Sequence, residues 1–372
     1  MKKRRWAIVG IIASLTIALG GCVNQEAIDA LMQSGRQTGT EGESVASPTS
    51  KQSLLPGETP KPEPKYAVAF SQAASESAWE KASINNIQAA AAAGHVRLLY
   101  ADAGSNFQSQ AAFLESCINY SSNELNLAAV VFSPIVEEGW DKILAALQKA
   151  ERPVVVVGNP IAVDDSLYDV YIHPDWRGQG GQAADWLIKN VTTKQQKVVE
   201  LRVQDGTSVP EKIHTGFQEG IAQTDWQIVE DREVMDSRIE AMHHMMDILA
   251  PDYDRFRDKE KPAPETLTNV DIVFAHTDDI ALGAIEALRE LGLEPGKDVR
   301  VVSIGGSKAA LAAIMDGHLA ASVENDPLYG DTLISVTNQL NTKKAWGEKE
   351  VLLLGAVFDQ KNASKNYANR LY

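Results

Sequence analysis

Short apolar segments alternate with amphipathic segments from Tyr66 onward. The apolar segments are four to six residues long, which is typical of buried strands, and they lie at Tyr66–Phe70, Val96–Tyr100, Leu127–Phe132, Val154–Val157, Val198–Val203, Ile272–Ala275 and Val299–Ile304. Apolar residues at 3.6 spacing between them predict helices, for example over Trp79–Ala93, Glu137–Ala150, Gly178–Asn190 and Asp279–Leu291. The alternation predicts an α/β fold with doubly wound parallel sheets that helices cover on both faces.

Ligands of such sheets bind beyond the carboxyl ends of the strands. That rule selects six segments, which two sheets facing one cleft would bring together: Ser71–Trp79, Ser133–Trp140, Gly158–Ile161, Gln204–Ile213, His276–Asp279 and Gly305–Ser307. We therefore expect a binding site built from these segments.

The first 22 residues have the pattern of a secretory signal peptide. Four basic residues precede an apolar segment from Trp6 to Gly21, and Cys22 follows Leu-Gly-Gly. The sixteen apolar residues are fewer than the roughly 20 that a spanning helix needs. Leu-Gly-Gly-Cys resembles the lipobox of bacterial lipoproteins, which implies cleavage before Cys22 and lipidation of its thiol. An ordinary signal peptide with a chance cysteine is the alternative. If Cys22 is lipidated, the second cysteine, Cys117, has no disulfide partner.

Residues 23–65 are rich in Gly, Ser, Thr, Pro and Glu, so we expect a disordered tether between the anchor and the folded part. The net charge of −15 becomes −19 when the four basic residues of the signal segment are removed. An acidic protein without a basic patch is not expected to bind nucleic acid or to adhere electrostatically to an anionic membrane. The lipid is then its only link to the outer face of the cytoplasmic membrane.

No catalytic or cofactor-binding pattern is evident in the sequence. We find no nucleophile with a base at a recognised spacing and no glycine-rich phosphate loop. His243 and His244 are adjacent on a predicted helix and point apart, so they do not suggest a metal site. We expect a binding protein without cofactor or metal rather than an enzyme.

Seven segments in order resemble the ribose/galactose-type sugar-binding proteins of ABC transporters, and above all their galactofuranose-binding branch. They are FSQAASESAW (70–79), FSPIVEEGW (132–140), SLYDVYIHPDW (166–176), VELRVQDGTS (199–208), FAHTDDIALGAIEAL (274–288), LGLEPGKDV (291–299) and MDGHLAASVENDP (315–327). The resemblance implies the type I periplasmic binding protein fold and a monomer that delivers a small ligand, of carbohydrate type, to ABC permease subunits.

The resemblance also implies two lobes joined by three crossing segments. Residues 66–173 and 326–350 would form the N-terminal lobe, and residues 174–325 and 351–372 the C-terminal lobe. The crossings would lie near His173–Pro174, near Asn325–Asp326 and near Val351, and hinge motion would close the lobes on the ligand.

Most of the polar positions that clamp sugar hydroxyls in the galactofuranose branch carry other residues here. Glu80 and Ile213 stand where that branch has arginines, and Gly158-Asn159 replaces an Asp-Arg pair. Thr277 replaces an asparagine and Gly305 replaces an aspartate, whereas the glutamate is kept as Glu324. On this alignment Gly158 and Gly305 remove two acceptors and widen the cleft. The candidate ligand-binding residues are Ser71, Glu76, Trp79, Glu80, Asn159, Asp175, Trp176, Ile213, Thr277, Gly305 and Glu324.

These departures leave two explanations. The ligand differs from the usual hexose, being larger, less hydroxylated or not a sugar, or ligand binding has been lost. The retained loop lengths and Gly206-Thr207-Ser208 favour a changed ligand. Import is the expected role, and a lipoprotein subunit that senses the ligand for a membrane receptor kinase is the alternative. A transcription regulator of the same fold is disfavoured, because Cys22 and the tether precede the folded part.

Overall fold

The computed structural model describes residues 63–121, 125–251, 253 and 267–372. In these residues strands and helices alternate as the apolar pattern predicts, and the strands form two six-stranded sheets. The signal segment, Cys22 and the predicted tether as far as residue 62 lie outside the described residues.

The first sheet is entirely parallel, with the strand order β2-β1-β3-β4-β5-β11. Its strands are β1 (Tyr66–Gln72), β2 (Val96–Asp102), β3 (Leu127–Phe132), β4 (Val154–Val157), β5 (Val170–Pro174) and β11 (Glu350–Leu353). Every residue of β1, β3 and β4 is buried, as their uninterrupted apolar sequences predict for strands covered on both faces.

The second sheet has the order β7-β6-β8-β9-β10-β12 and is parallel except for its last strand, which is antiparallel to β10. Its strands are β6 (Lys197–Val203), β7 (Gln227–Val234), β8 (Ile272–Ala275), β9 (Arg300–Gly305), β10 (Ala321–Glu324) and β12 (Val357–Asp359). The two parallel-sheet lobes confirm the predicted fold class.

Helices cover both faces of each sheet. Those of the first lobe are α1 (Ala78–Ala93), α2 (Phe107–Ile118), α3 (Asp141–Lys149) and α9 (Gly330–Asn341). Those of the second lobe are α4 (Trp176–Asn190), α5 (Val209–Ile221), α6 (Arg238–Leu249), α7 (Asp278–Glu290), α8 (Lys308–Met315) and α10 (Ala363–Tyr367). A short 3₁₀ helix at Asp165–Leu167 precedes β5.

The chain passes between the lobes at three places. The first passage follows β5 at Pro174, and the second follows β10 at Asn325. The third lies at residues 354–356, beyond the expected position at Val351. Val351 belongs to β11, which pairs in parallel with β5, so this strand completes the first sheet before the chain returns.

Two glycine-containing helices of the second lobe, α4 and α5, pack at very short range beside the first crossing. A Cβ atom on Gly180 would lie 2.0 Å from the Ile213 carbonyl oxygen, and one on Gly216 would lie 1.9 Å from the Arg177 carbonyl oxygen. Only glycine allows the two backbones to approach this closely. The close packing fixes α5 beside the cleft, where Ile213 forms part of the wall.

Candidate functional site

A cavity of about 270 Å³ lies between the two lobes at the carboxyl ends of their strands. In the first lobe its wall comes from α1, from the segment after β4 and from the end of β5. In the second lobe it comes from α4, from α5 and from the carboxyl ends of β6 to β10. The lining residues are Trp79, Gly158, Asn159, Pro174, Trp176, Gln179, Val203, Gln204, Asp205, Val209, Ile213, Asp236, His276, Thr277, Ile304 and Asn325. The position agrees with the general rule for ligand sites of parallel sheets.

Trp79 is the partly exposed aromatic residue of this wall. It stands in the first turn of α1, which Ser77 begins with a capping box. Its indole Nε1–H donates to the carbonyl oxygen of Asn325 at 2.7 Å, so the ring is fixed against the second crossing. A flat apolar face held in this way suits the apolar face of a sugar ring.

Trp176 also lines the cavity, but its ring has other contacts. It is 7% exposed, stacks on His173 with ring centroids 4.8 Å apart, and has the Lys212 ammonium 4.8 Å from its centroid. Trp140 is fully buried, and its indole N–H donates to the Val136 carbonyl oxygen at 2.7 Å. Trp140 packs beneath its own loop and is not among the lining residues.

Three polar side chains of the wall donate hydrogen bonds within the protein. The Asn159 amide donates to the Pro134 carbonyl oxygen at 2.9 Å, and the Gln179 amide donates to the Glu324 carbonyl oxygen at 3.1 Å. The Thr277 hydroxyl, which begins α7 as its N-cap, donates to the Asp236 carboxylate at 2.5 Å. These bonds fix the orientation of the groups, and each of the two amides has a second N–H.

Five of the sequence-predicted residues therefore meet at one cavity: Trp79, Asn159, Trp176, Ile213 and Thr277. The other six do not line it, and each has a different environment. Ser71 is fully buried in the first lobe and accepts a hydrogen bond from Gln110 at 3.3 Å. Glu76 is exposed. The Glu80 carboxylate accepts from the Ser77 backbone N–H at 2.8 Å and closes the capping box of α1.

Asp175 and Glu324 are likewise engaged by neighbouring groups. Asp175 is the N-cap of α4 and accepts from the Gly178 N–H at 2.9 Å. The Glu324 carboxylate accepts from the Arg370 guanidinium at 2.6 Å and from the Tyr372 hydroxyl at 3.2 Å. The C-terminal segment therefore supplies the donors for Glu324, a residue that the sequence resemblance assigned to ligand binding.

Gly305 does not widen the cavity, contrary to the expectation from the sequence. A Cβ atom there would lie 2.4 Å from the Asp278 carboxylate, in a backbone conformation with φ of 147°. Asp278 is buried and accepts from the Ser303 and Ser322 hydroxyls and from the Ser307 N–H. The space beside Gly305 is thus filled by a structural carboxylate, whose pKa is raised by its burial.

Sequence reasoning missed Asp236, which follows β7 and lines the cavity. The eight residues of β7, QIVEDREV, include four consecutive charged residues, Glu230 to Glu233, and were not assigned to a strand. Gln204 and Asp205 were included only as part of a segment, and Gln179 was missed because it lies on the second turn of a helix. The carboxyl-end rule would have found Asp236 only if this charged segment had been recognised as an edge strand.

A buried carboxylate joins two imidazoles behind the wall. Glu200 is fully buried and accepts from His276 at 2.9 Å and from His214 at 2.8 Å. Burial disfavours ionisation of Glu200, but the bonds from the two imidazoles outweigh it and lower its pKa. The bond to Glu200 raises the pKa of His214, whereas burial lowers the pKa of His276 and keeps that ring neutral.

Glu200, His214 and Asp231 place ligand atoms within 4.8 Å of one another, which is close enough for a metal ion. The Arg202 guanidinium, however, lies 2.8 Å from Asp231, and both oxygens of Glu200 already accept imidazole bonds. The negative charge of the group is therefore balanced by protein donors, and the arrangement gives no reason to assign a metal.

Comparison with known proteins identifies the family. A model described as periplasmic binding protein domain matches residues 68–345. The chain belongs to this family. It is 32% identical to the galactofuranose-binding protein YtfQ of Escherichia coli, over 70% of this chain and 77% of that protein. It is 27% identical to the fructose import binding protein FruE of Bifidobacterium longum, over 82% and 88% of the two chains.

Solved structures of sugar-binding proteins have the same fold. A crystal structure of a galactofuranose binding protein superposes with a TM-score of 0.68 at 28% identity, covering 82% of this chain and all of the other. The arabinose-binding component from a Shewanella species, bound to α- and β-L-arabinofuranose, has the same TM-score and identity and is covered to 95%.

Membership of this family makes the chain a solute-binding component of a transport system and not an enzyme. In the part of the chain that the structure describes, no helix combines the length and the apolar character needed to cross a membrane. The described free cysteine, Cys117, is buried, and burial raises the pKa of its thiol to about 12. Its thiol is therefore unreactive at neutral pH.

Proposed function

We propose that the protein captures a sugar or sugar-like compound outside the cytoplasmic membrane and delivers it to the permease of an ABC importer. The observation that supports this most directly is the cavity between the lobes, with Trp79 fixed at its wall and polar groups around it. Relatives of the same fold are named for galactofuranose, fructose and ribose. Hinge closure of the lobes on the ligand would present the closed form to the permease.

We also propose that the ligand is bound differently from galactofuranose or ribose in those relatives. Ile213 lines the cavity and offers no donor, and Gly158 offers no side chain. Each charge-assisted hydrogen bond that is missing removes roughly 1.5–3 kcal/mol. Isothermal titration with ribose, galactose and galactofuranose is the direct test, and sub-micromolar binding of any of them would contradict this alignment of the clamp.

A thermal-shift screen of sugars, polyols, nucleosides and glycosides identifies the ligand class, because a ligand bound to the folded state raises stability in proportion to RT ln(1 + [L]/Kd). For the ligand found, Trp79→Ala should weaken binding by roughly two- to tenfold, since ring contacts of this kind contribute roughly 0.5–1.5 kcal/mol. Trp346→Ala removes a partly buried tryptophan of the same lobe that does not line the cavity, and should leave affinity unchanged. Equal effects would remove Trp79 from the site.

A lipid on Cys22 and a tether over residues 23–65 complete the proposal for a monomer held at the membrane surface. The supporting observation is the basic and apolar signal segment that ends in Leu-Gly-Gly-Cys. Wild-type protein should partition into detergent with a modified N-terminus, and Cys22→Ala should release it or stall its processing. A soluble wild-type protein with an unmodified N-terminus would disprove the anchor.

A further inference from the structure

The cavity between the lobes has an unusual charge balance for a site that recognises neutral sugars. Two carboxylates, Asp205 and Asp236, are among its lining residues, and neither lysine nor arginine is. His276 adds no charge, because its burial lowers its pKa. Carboxylates that line one cleft raise the local concentration of cations. The lining residues therefore favour a cationic ligand over an anionic one.

His276 supplies an independent indication of the ligand. Only 2% of His276 is exposed, and its Nε2 lies 2.9 Å from the Glu200 carboxylate. Because a carboxylate only accepts, Nε2 carries the proton and Nδ1 is left as an acceptor. Nδ1 has no partner in the described structure, although the residue lines the cavity. A buried acceptor of this kind calls for a ligand that donates.

Asn325, at the second crossing, repeats this pattern. Its side-chain oxygen is buried and has no hydrogen-bond partner among the described residues, while its backbone oxygen accepts from the Trp79 indole. The Trp79 indole N–H and the Thr277 hydroxyl both donate within the protein. A ligand that donates to His276 Nδ1 and to the Asn325 oxygen would satisfy both unpaired acceptors.

Asp205 and Asp236 are close enough for their charges to repel each other. Burial is the main cause that raises the pKa of Asp236, and repulsion from Asp279 and Asp205 adds to it. Asp279 is paired with the Arg238 guanidinium at 2.7 Å. The described hydrogen bonds of the Asp205 carboxylate come only from the Thr207 backbone N–H and hydroxyl, both at 2.8 Å. A ligand cation near Asp205 and Asp236 would relieve their repulsion.

We propose that the ligand is an amine-bearing sugar or cyclitol, whose ammonium group pairs with Asp205 and Asp236 while its hydroxyls donate to His276 and Asn325. This inference rests on the proposed function, because it concerns the ligand of the same cleft. An ammonium group provides three donors and one positive charge, which match the two lining carboxylates, while the ligand hydroxyls match the two unpaired acceptors. The ring of the ligand lies against Trp79, where the apolar face of a sugar fits.

Lys212 allows a test of the sign of the ligand charge. Its ammonium lies over the Trp176 ring, 4.8 Å from the centroid, and it is exposed beside the cleft. For a cationic ligand Lys212 is repulsive, so Lys212→Gln should strengthen binding. Asp236→Asn keeps an acceptor for the Thr277 hydroxyl but removes the charge, so it should weaken binding by about tenfold, equivalent to about 1.4 kcal/mol. An anionic ligand requires the opposite sign at both positions.

The experiment is titration calorimetry with matched probes at low salt: glucose, glucosamine and N-acetylglucosamine, the corresponding galactose series, and galacturonate. We expect an amine to bind at least tenfold more tightly than its neutral and N-acetylated counterparts, and to lose affinity as NaCl is raised. Asp247→Asn is the matched control, because it removes an exposed carboxylate from the far end of α6 in the same lobe. It should leave affinity unchanged.

Different outcomes overturn the amine inference and the sugar-like ligand class. Neutral sugars that bind as tightly as amines, or galacturonate that binds more tightly, overturn the amine inference and leave a sugar-binding protein. Asp236→Asn and Asp247→Asn variants of equal affinity also overturn it. Absence of both heat and thermal shift with the whole panel overturns the sugar-like ligand class itself.

Discussion

Replacing Glu200 with glutamine tests the buried network behind the cleft. The wild-type carboxylate accepts from His214 and His276 with no exposure to solvent. Glutamine has the same shape and one acceptor and one donor group, so it can keep two hydrogen bonds while losing the charge. The change therefore isolates the contribution of charge from that of packing.

The magnitude follows from the two bonds. A hydrogen bond to a charged group contributes roughly 1.5–3 kcal/mol, and a neutral one about 0.5–1.5 kcal/mol. Two bonds that change from charged to neutral should cost about 2 kcal/mol of unfolding free energy. For a folded region of this size, that corresponds to a fall of roughly 4–8 °C in the unfolding temperature.

The unfolding free energy lost in Glu200→Gln should depend on pH. The lowered pKa of Glu200 means that its stabilisation is present above its ordinary value of 4.5 and is lost as the pH falls through the lowered value. The raised pKa of His214 means that its share is present below its ordinary value of 6.5 and is lost as the pH rises through the raised value. The difference in unfolding free energy between wild type and Glu200→Gln should therefore be largest between pH 4.5 and pH 6.5.

Urea unfolding between pH 4 and 8 measures this gap. Glu294→Gln serves as the control, because it neutralises an exposed partner of Lys297 and should cost less than about 1 kcal/mol. A Glu200→Gln variant as stable as wild type at pH 6, or a gap that does not vary with pH, would show that the carboxylate is not ionised between the imidazoles.

Two further predictions concern glycines. Gly180→Ala should cost more than about 2 kcal/mol in urea unfolding, because its Cβ would meet the Ile213 carbonyl oxygen at 2.0 Å, whereas Gly347→Ala, with open space around it, should be neutral. Gly305→Asp, which restores the residue of the galactofuranose branch, should destabilise the fold through contact with Asp278 and should not create a sugar clamp. A stable Gly305→Asp variant that binds galactofuranose tightly would contradict the placement of Asp278.

The apolar pattern predicted seven strands, all of which the structure contains, but it did not predict β5, β7, β10, β11 or β12. The strands at residues 127–132, 154–157 and 272–275 have the predicted bounds, because a continuous apolar segment of four to six residues has the length of a strand that is covered on both faces. The predicted helix that begins at Glu137 was too long, and α3 begins at Asp141. The edge strand β7 was missed, because its exposed face carries charges.

The candidate site was only partly predictable. The sequence placed Trp79, Ile213 and Thr277 after the correct strands, and the carboxyl-end rule brought them to one cleft. It did not show that Glu80 is used by a helix cap or that Glu324 is used by Arg370. Such choices depend on which donors lie within hydrogen-bond distance, and a residue 46 positions away along the chain supplies that donor only in the folded molecule. Local patterns of apolar residues therefore determined the two sheets, whereas the chemistry of the cleft was decided by the tertiary structure, because a polar group faces a ligand only where the protein leaves it unpaired.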